Sequence, residues 1–309
     1  MDVDLHIGYV KTQTHALTPS PSPSATANPP ATTRPPPLNL PTRPAEADTS
    51  PKAKFSHLFA TGVAYLKFYK TGVKHIYTNT RLLYSSSSAT KDPELAAARP
   101  APGTRAHFLL RLRWRYDVRR LPLFAVILVV CGEFTPLVVL ALPRAVPGPC
   151  RIPRQVEGLL RGVERGGGRL GRWRRRRLRR RLGGIKKGGG WERGRGGGGG
   201  ERGARILGLS ARAWTPGFLV RKRVAERLGY LREDDALLVE AGGAKGLVDE
   251  EVRLACADRG VDVLGREVEE LRSVLGRWLR LTNARRLGEE GREKAVTRLL
   301  LAKDSEWEG

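Results

Sequence analysis

The sequence predicts an all-α protein with one transmembrane helix and a C-terminal helical domain, joined by a disordered N-terminus and a Gly/Arg-rich linker. Three observations lead there. Apolar residues recur at three- and four-residue steps in 53–84 and again in 206–282, the helical period. A run of 23 residues at 121–143 holds a single ionisable group. The 21 prolines and 36 glycines are bunched, so much of the chain is linker.

Charge and cysteine content set the class of partner. With 56 Lys and Arg against 31 Asp and Glu, the net charge is +25, which suits nucleic acid, a ribosome or an anionic membrane better than an acidic substrate. Cys131, Cys150 and Cys256 are too far apart for a disulfide framework or an ordinary zinc site. Arginine greatly outnumbers lysine beside abundant Gly and Ala, a skew that G+C-rich codons also produce. Arg and Gly runs therefore weigh less here than their charge suggests.

Residues 1–52 carry 11 of the 21 prolines and four acids against four bases, and cannot bury enough apolar surface to offset their ordering entropy. The stretch is expected to be disordered. It has no secretory apolar region, and Asp2 and Asp4 weaken a mitochondrial presequence, so it does not fix the address. In 53–84, Phe55, Phe59, Val63, Leu66, Tyr69, Val73 and Ile76 line one helical stripe beside lysines and no acid. Such a basic amphipathic helix suits an anionic membrane surface, or equally a helix bundle with a solvated Lys face. A linker at 85–104 and a basic juxtamembrane segment at 105–120 follow.

Leu121 to Pro143 is long enough, at about 1.5 Å per residue, to cross ~30 Å of hydrocarbon. Arg111, Arg113, Arg115, Arg119 and Arg120 precede it and Arg144, Arg151 and Arg154 follow, so the charge rule orients it weakly. Glu133 and Pro136 lie inside. An intramembrane carboxylate is costly unless protonated, paired or facing a polar cavity, which makes Glu133 a candidate for proton or cation passage. The alternative is a protonated Glu133 bonding a neighbouring helix, or backbone freed by Pro136.

The basic region 144–205 holds most of the excess charge; residues 151–205 alone carry a local +15. Its centre, Arg172, Trp173, Arg174, Arg175, Arg176, Arg177, Leu178, Arg179, Arg180 and Arg181, suits phosphate contacts and base stacking, or is a solvated linker shaped by codon bias. The domain at 206–282 reads as four helices. Pro216 suits a first helical position, with Phe218 to Leu231 following; Ala236 to Val239 form a second helix stopped at Ala241, Gly242 and Gly243. Asp249, Glu250 and Glu251 open a third that Gly260 ends, and Val268 to Leu279 form a fourth. Cys256 reads as a small core residue. The charged tail 283–309 is expected to be helical in part. No phosphate loop, zincin motif, nucleophile elbow or calcium loop is present in the sequence, so neither an enzyme nor a cofactor is expected.

In order along the chain, these pieces resemble the LETM family, the leucine-zipper, EF-hand-containing transmembrane proteins. The resemblance rests on Phe55 to Phe59 through Arg81 to Leu83, on the apolar run with its Glu133 and Pro136, and on Ile206 to Ser210 leading to Leu219, Arg223 and Leu228. Most specific are Asp235, Gly243, Leu247, Glu251, Ala255, Cys256, Arg259, Gly260, Leu271, Arg272, Trp278, Leu279 and Leu281 at the family's spacing. The chain looks like a short member, without the EF-hand and long coiled coil. The resemblance implies a single-pass inner-membrane protein of mitochondria whose ribosome-binding domain, likened to the 14-3-3 fold, faces the matrix. Implied partners are the mitochondrial ribosome and anionic inner-membrane lipid, with a homo-oligomer possible in principle; implied roles are membrane insertion of ribosomal products and potassium/proton homeostasis. The competing readings are a cation/proton exchanger component using Glu133 and an Arg/Gly-rich RNA-binding protein.

Overall fold

A computed structural model describes residues 24–41, 51–84, 93–131, 145–152, 155–158, 217–282, 284–301, 304 and 307. Every regular element among them is helical, as the sequence predicts. The elements form two groups: a pair of long helices near the N-terminus, and a C-terminal helical domain.

Helix α1 (Pro51–Tyr84) starts on a proline, whose missing N–H costs nothing at a first helical position. Phe68, Tyr69, Gly72, Ile76, Asn79 and Leu82 are buried at steps of one to four residues and form its packed face. A short helix α2 (Pro93–Ala97) and a turn at Gly103 lead to α3 (Arg105–Cys131). The long helices run antiparallel: Tyr84 packs on Trp114 at 5.0 Å between ring centroids, and Tyr69 meets Phe124 edge-on at 5.7 Å. Trp114 Nε1 also donates to Thr80 Oγ1 at 2.9 Å.

Helix α3 changes the expected organisation. The juxtamembrane segment and the first half of the predicted span are one helix, with Pro122 inside it. Among the described residues no helix is long and apolar enough to cross a membrane. The arginines at 111–120 share a helix with the apolar residues after 121, and Phe124 and Ile127 are buried against protein. The rest of the run, 132–143, lies outside the described residues.

Residues 24–41 correct a second expectation, since they fall inside the stretch read as disordered. The segment bridges the two groups. Asn28 Nδ2 donates to the carbonyls of Ser24 and Gly246 at 2.8 and 2.7 Å, and its Oδ1 accepts from Val248 N–H at 2.9 Å. Thr32 Oγ1 donates to Asn79 Oδ1, and Leu38 packs on the cluster around Tyr69 and Phe124. Composition misses this because prolines have little backbone freedom to lose, and because the partners are supplied from 47 to 220 residues away.

The C-terminal domain begins with α4 (Gly217–Glu240), one continuous helix where two were expected. Gly242 and Gly243, at φ +93° and +76°, end it in the left-handed region that favours glycine. Helix α5 (Asp249–Asp258) carries Asp249, Glu250 and Glu251 in its first turn. Helix α6 (Val268–Leu281) buries Leu271, Val274, Leu275, Trp278 and Leu279 along one stripe. The tail joins the domain rather than following it: α7 (Ala284–Leu301), kinked at Gly288, contributes Val296 and Leu299 to the core, and Trp307 packs on Trp278 at 5.4 Å.

Candidate functional site

The centre of the C-terminal domain is a buried chain of charges. Asp234 and Asp235 are adjacent on α4, and Arg259, just past α5, reaches both: Nη2 donates to Asp234 Oδ2 at 2.8 Å, and Nε donates to Asp235 Oδ1 at 3.1 Å. Its remaining arm donates to the carbonyl of Ala255 at 2.9 Å, so all three guanidinium nitrogens are engaged. Trp278 Nε1 donates to both Asp235 oxygens at 3.2 and 3.1 Å, and Arg292 of α7 stands 3.7 Å from Asp235 Oδ2. Burial alone would raise the Asp234 carboxyl, but Arg259 and Arg105 outweigh it and hold it below the usual carboxylate range. Burial likewise pulls the Arg259 guanidinium down, and Asp235 and Asp234 reverse that, leaving it more firmly protonated than usual.

Two arginines of α3 dock the helix pair onto this domain. Arg105 Nε donates to Asp234 Oδ1 at 2.7 Å, and its Nη1 donates to the carbonyl of Ala27 at 2.8 Å. Arg113, about two turns further along α3, grips Glu251 with both arms at 2.7 and 2.9 Å. The Glu251 side chain is fully buried. Between these bridges Phe108 stacks on Tyr230 at 6.0 Å, and Tyr230 OH donates to Asp258 Oδ2 at 2.7 Å. Arg34 adds a bond to Glu250 Oε2 at 2.9 Å from the bridging segment. Removing one partner from such a buried set costs about 3–5 kcal/mol, because the other charge stays behind.

This arrangement gives a physical reason for the spacing of the motif read in the sequence. Asp235, Arg259 and Trp278 are partners in the buried network, and Glu251 receives Arg113 of α3. Arg272 fastens the turn after α4, donating to the carbonyls of Ala244 and Leu247, both at 2.8 Å, and to Asp249 at 3.0 Å. Cys256 is buried with its thiol pushed up to about 12 by burial, in line with a core role. Arg105, Asp234 and Arg292 were not singled out in the sequence; the signal was the adjacent acid pair inside a helix otherwise patterned for burial. Glu133, Pro136, Arg172, Arg174, Arg175, Arg176, Arg177, Arg179, Arg180 and Arg181 lie outside the described residues. Among the described residues no group of three or more His, Cys, Asp or Glu could hold a metal ion.

Residues 204–290 match the family model described as LETM1-like, RBD, a ribosome-binding-domain family. That match supports the resemblance to the LETM family over the segment that carries its most specific residues. No curated protein and no solved structure matches the chain.

Proposed function

We propose that the protein is a ribosome-binding module held at the matrix face of the mitochondrial inner membrane, where it supports membrane insertion of ribosomal products and, through them, potassium/proton balance. The match of residues 204–290 to the ribosome-binding-domain family carries this reading. The charge supports it independently: a net +25, concentrated after residue 150, suits ribosomal RNA and anionic inner-membrane lipid. The role is binding rather than catalysis. Buried Asp234, Asp235 and Arg259 are bonded to one another and to Arg105, Trp278 and the Ala255 carbonyl, and serve to hold the domain together.

Co-sedimentation of the full chain with mitochondrial ribosomes tests it. Contacts to phosphate release counterions, so binding should fall steeply as salt rises. Changing Arg174, Arg175, Arg176 and Arg177 together to Gln should weaken co-sedimentation and leave membrane extraction unchanged. Equal binding at low and high salt would remove the electrostatic contact, and an unaffected quadruple variant would return that run to a solvated linker.

A further inference from the structure

The acids that receive α3 are built as sockets for arginine. Glu251, fully buried, is met by two arginines from outside its domain: Arg113 takes both oxygens at 2.7 and 2.9 Å, and Arg34 Nε stands 4.0 Å from Oε1. Asp234, also fully buried, divides its oxygens. Oδ2 takes Arg259 from within the domain at 2.8 Å, and Oδ1 takes Arg105 of α3 at 2.7 Å. Arg113 is 22% exposed and Arg34 20%, so the Glu251 socket opens to the surface on its arginine side.

The domain behind these sockets has no surplus of positive charge. Residues 217–309 hold 18 Lys and Arg against 19 Asp and Glu, so the +25 of the chain comes from residues 1–216. A phosphate backbone gains nothing from that balance and is repelled by Asp234 and Glu251. A guanidinium fork fits instead, with two parallel bonds to one carboxylate, as Arg113 makes to Glu251. A lysine ammonium, a point charge, cannot reproduce that pair of bonds.

Helix α3 makes its aromatic packing with α1, through Trp114 on Tyr84 and Phe124 on Tyr69. Among the described residues no side chain of α3 belongs to the apolar core of the C-terminal domain. Toward that domain it presents Arg105 and Arg113, with Phe108 stacked on Tyr230 between them. A buried carboxylate stripped of its cation is strongly penalised, so α3 does not lift away and leave the sockets bare. Exchange of one arginine for another keeps the carboxylates paired and avoids that penalty. We infer that the Asp234 and Glu251 sockets form an arginine-reading protein surface, held in cis by Arg105 and Arg113 and passed to an arginine-bearing segment of a ribosomal protein when the domain docks. This rests on the ribosome-binding reading and assigns the domain's share of that contact to protein.

The test uses the full chain and a fluorescent peptide of residues 104–116, which supplies Arg105, Phe108 and Arg113 in trans. Arg105→Gln combined with Arg113→Gln removes the cis arginines. The peptide should bind that variant about tenfold or more tightly than the unaltered chain, the worth of one charge-assisted bond. The same peptide with Arg105→Lys and Arg113→Lys should bind about threefold or more weakly. Equal affinity for chain and variant, or for the two peptides, would overturn the sockets. Phe108→Ala leaves every ion pair in place and loosens the docking; it should also tighten peptide binding, and it decides the question if the double variant does not fold.

Co-sedimentation with mitochondrial ribosomes follows. Both variants should bind about threefold or more tightly than the unaltered chain, and Glu251→Gln, which removes a socket, should bind less. Unchanged ribosome binding in all three would overturn the assignment of the contact to this surface. An equal gain toward deproteinised ribosomal RNA would assign the partner to RNA and overturn the protein assignment. Peptide exchange with no ribosome binding by any form would leave the sockets standing and remove the ribosome reading.

Discussion

The C-terminal domain and the α1–α3 pair solve the same problem, ordering a very basic chain, by different means. The domain neutralises arginines internally, burying Arg259 against Asp234 and Asp235 under a core built on Trp278. The pair relies on aromatic packing of Tyr69, Phe68 and Phe124 and leaves most of its cations and one apolar end outside. A region that matches its charges internally can stand on its own contacts. Arg105 and Arg113 join the two by lending two cations of the pair to acids of the domain.

The largest effect should come from Arg259→Met, which removes the cation shared by two buried carboxylates and costs about 3–5 kcal/mol. Hydrogen exchange should accelerate through α5 and α6 while the middle of α1 keeps its protection; uniform acceleration would mean that the two regions unfold as one. Phe124→Ala should do the converse, with a loss of about 3 kcal/mol confined to the helix pair. Loss of protection in α6 in that variant would break the comparison.

Gly72→Ala sharpens it further. A methyl there meets Cys150 Sγ at 2.7 Å and the Pro149 carbonyl oxygen at 2.8 Å. Overpacking of this kind costs about 1–3 kcal/mol, and it should expose Cys150 to thiol reagents without changing Cys256.

Acidity separates the regions by sign. Burial raises the Asp117 carboxyl to about 6, although Gly148 N–H and nearby Arg151, Arg113 and Arg120 pull it down. The folded pair therefore holds its proton more tightly than the unfolded chain does. Its stability is greatest below the usual carboxylate range and declines as pH rises through about 6. Asp234 works the other way: its contribution is present above the usual carboxylate range and is lost as pH falls below it. Between pH 7 and pH 5, exchange corrected for intrinsic rates should slow in α3 and stay level in α4, and Asp117→Asn should abolish the slowing. The smallest effect belongs to Arg34→Gln, whose bond to exposed Glu250 is worth about 0.2–1 kcal/mol and should fade with salt.

Local physics was legible where it acts locally. The stripe of α6, the acids in the first turn of α5 and the glycines after α4 and α5 each act within a turn or two of themselves, so the sequence by itself determined these helices, their ends and most of their core. It also determined that the chain is basic and where its apolar run lies. Partnership across the chain was decided by the tertiary structure alone. The charged stretch from Arg232 to Asp235 reads as a break between two helices until Arg105 and Arg259 are seen to neutralise it, and the Pro-rich stretch at 24–41 reads as disorder until Gly246 and Asn79 receive it. Likewise, 23 apolar residues have the length to cross a bilayer, but length says nothing about what its flanks touch; the bond from Gly148 to Asp117 was supplied by the fold. Periodicity and capping energies depend on neighbours a few residues apart, whereas burial of a charge and the direction of a chain depend on groups that only folding brings together.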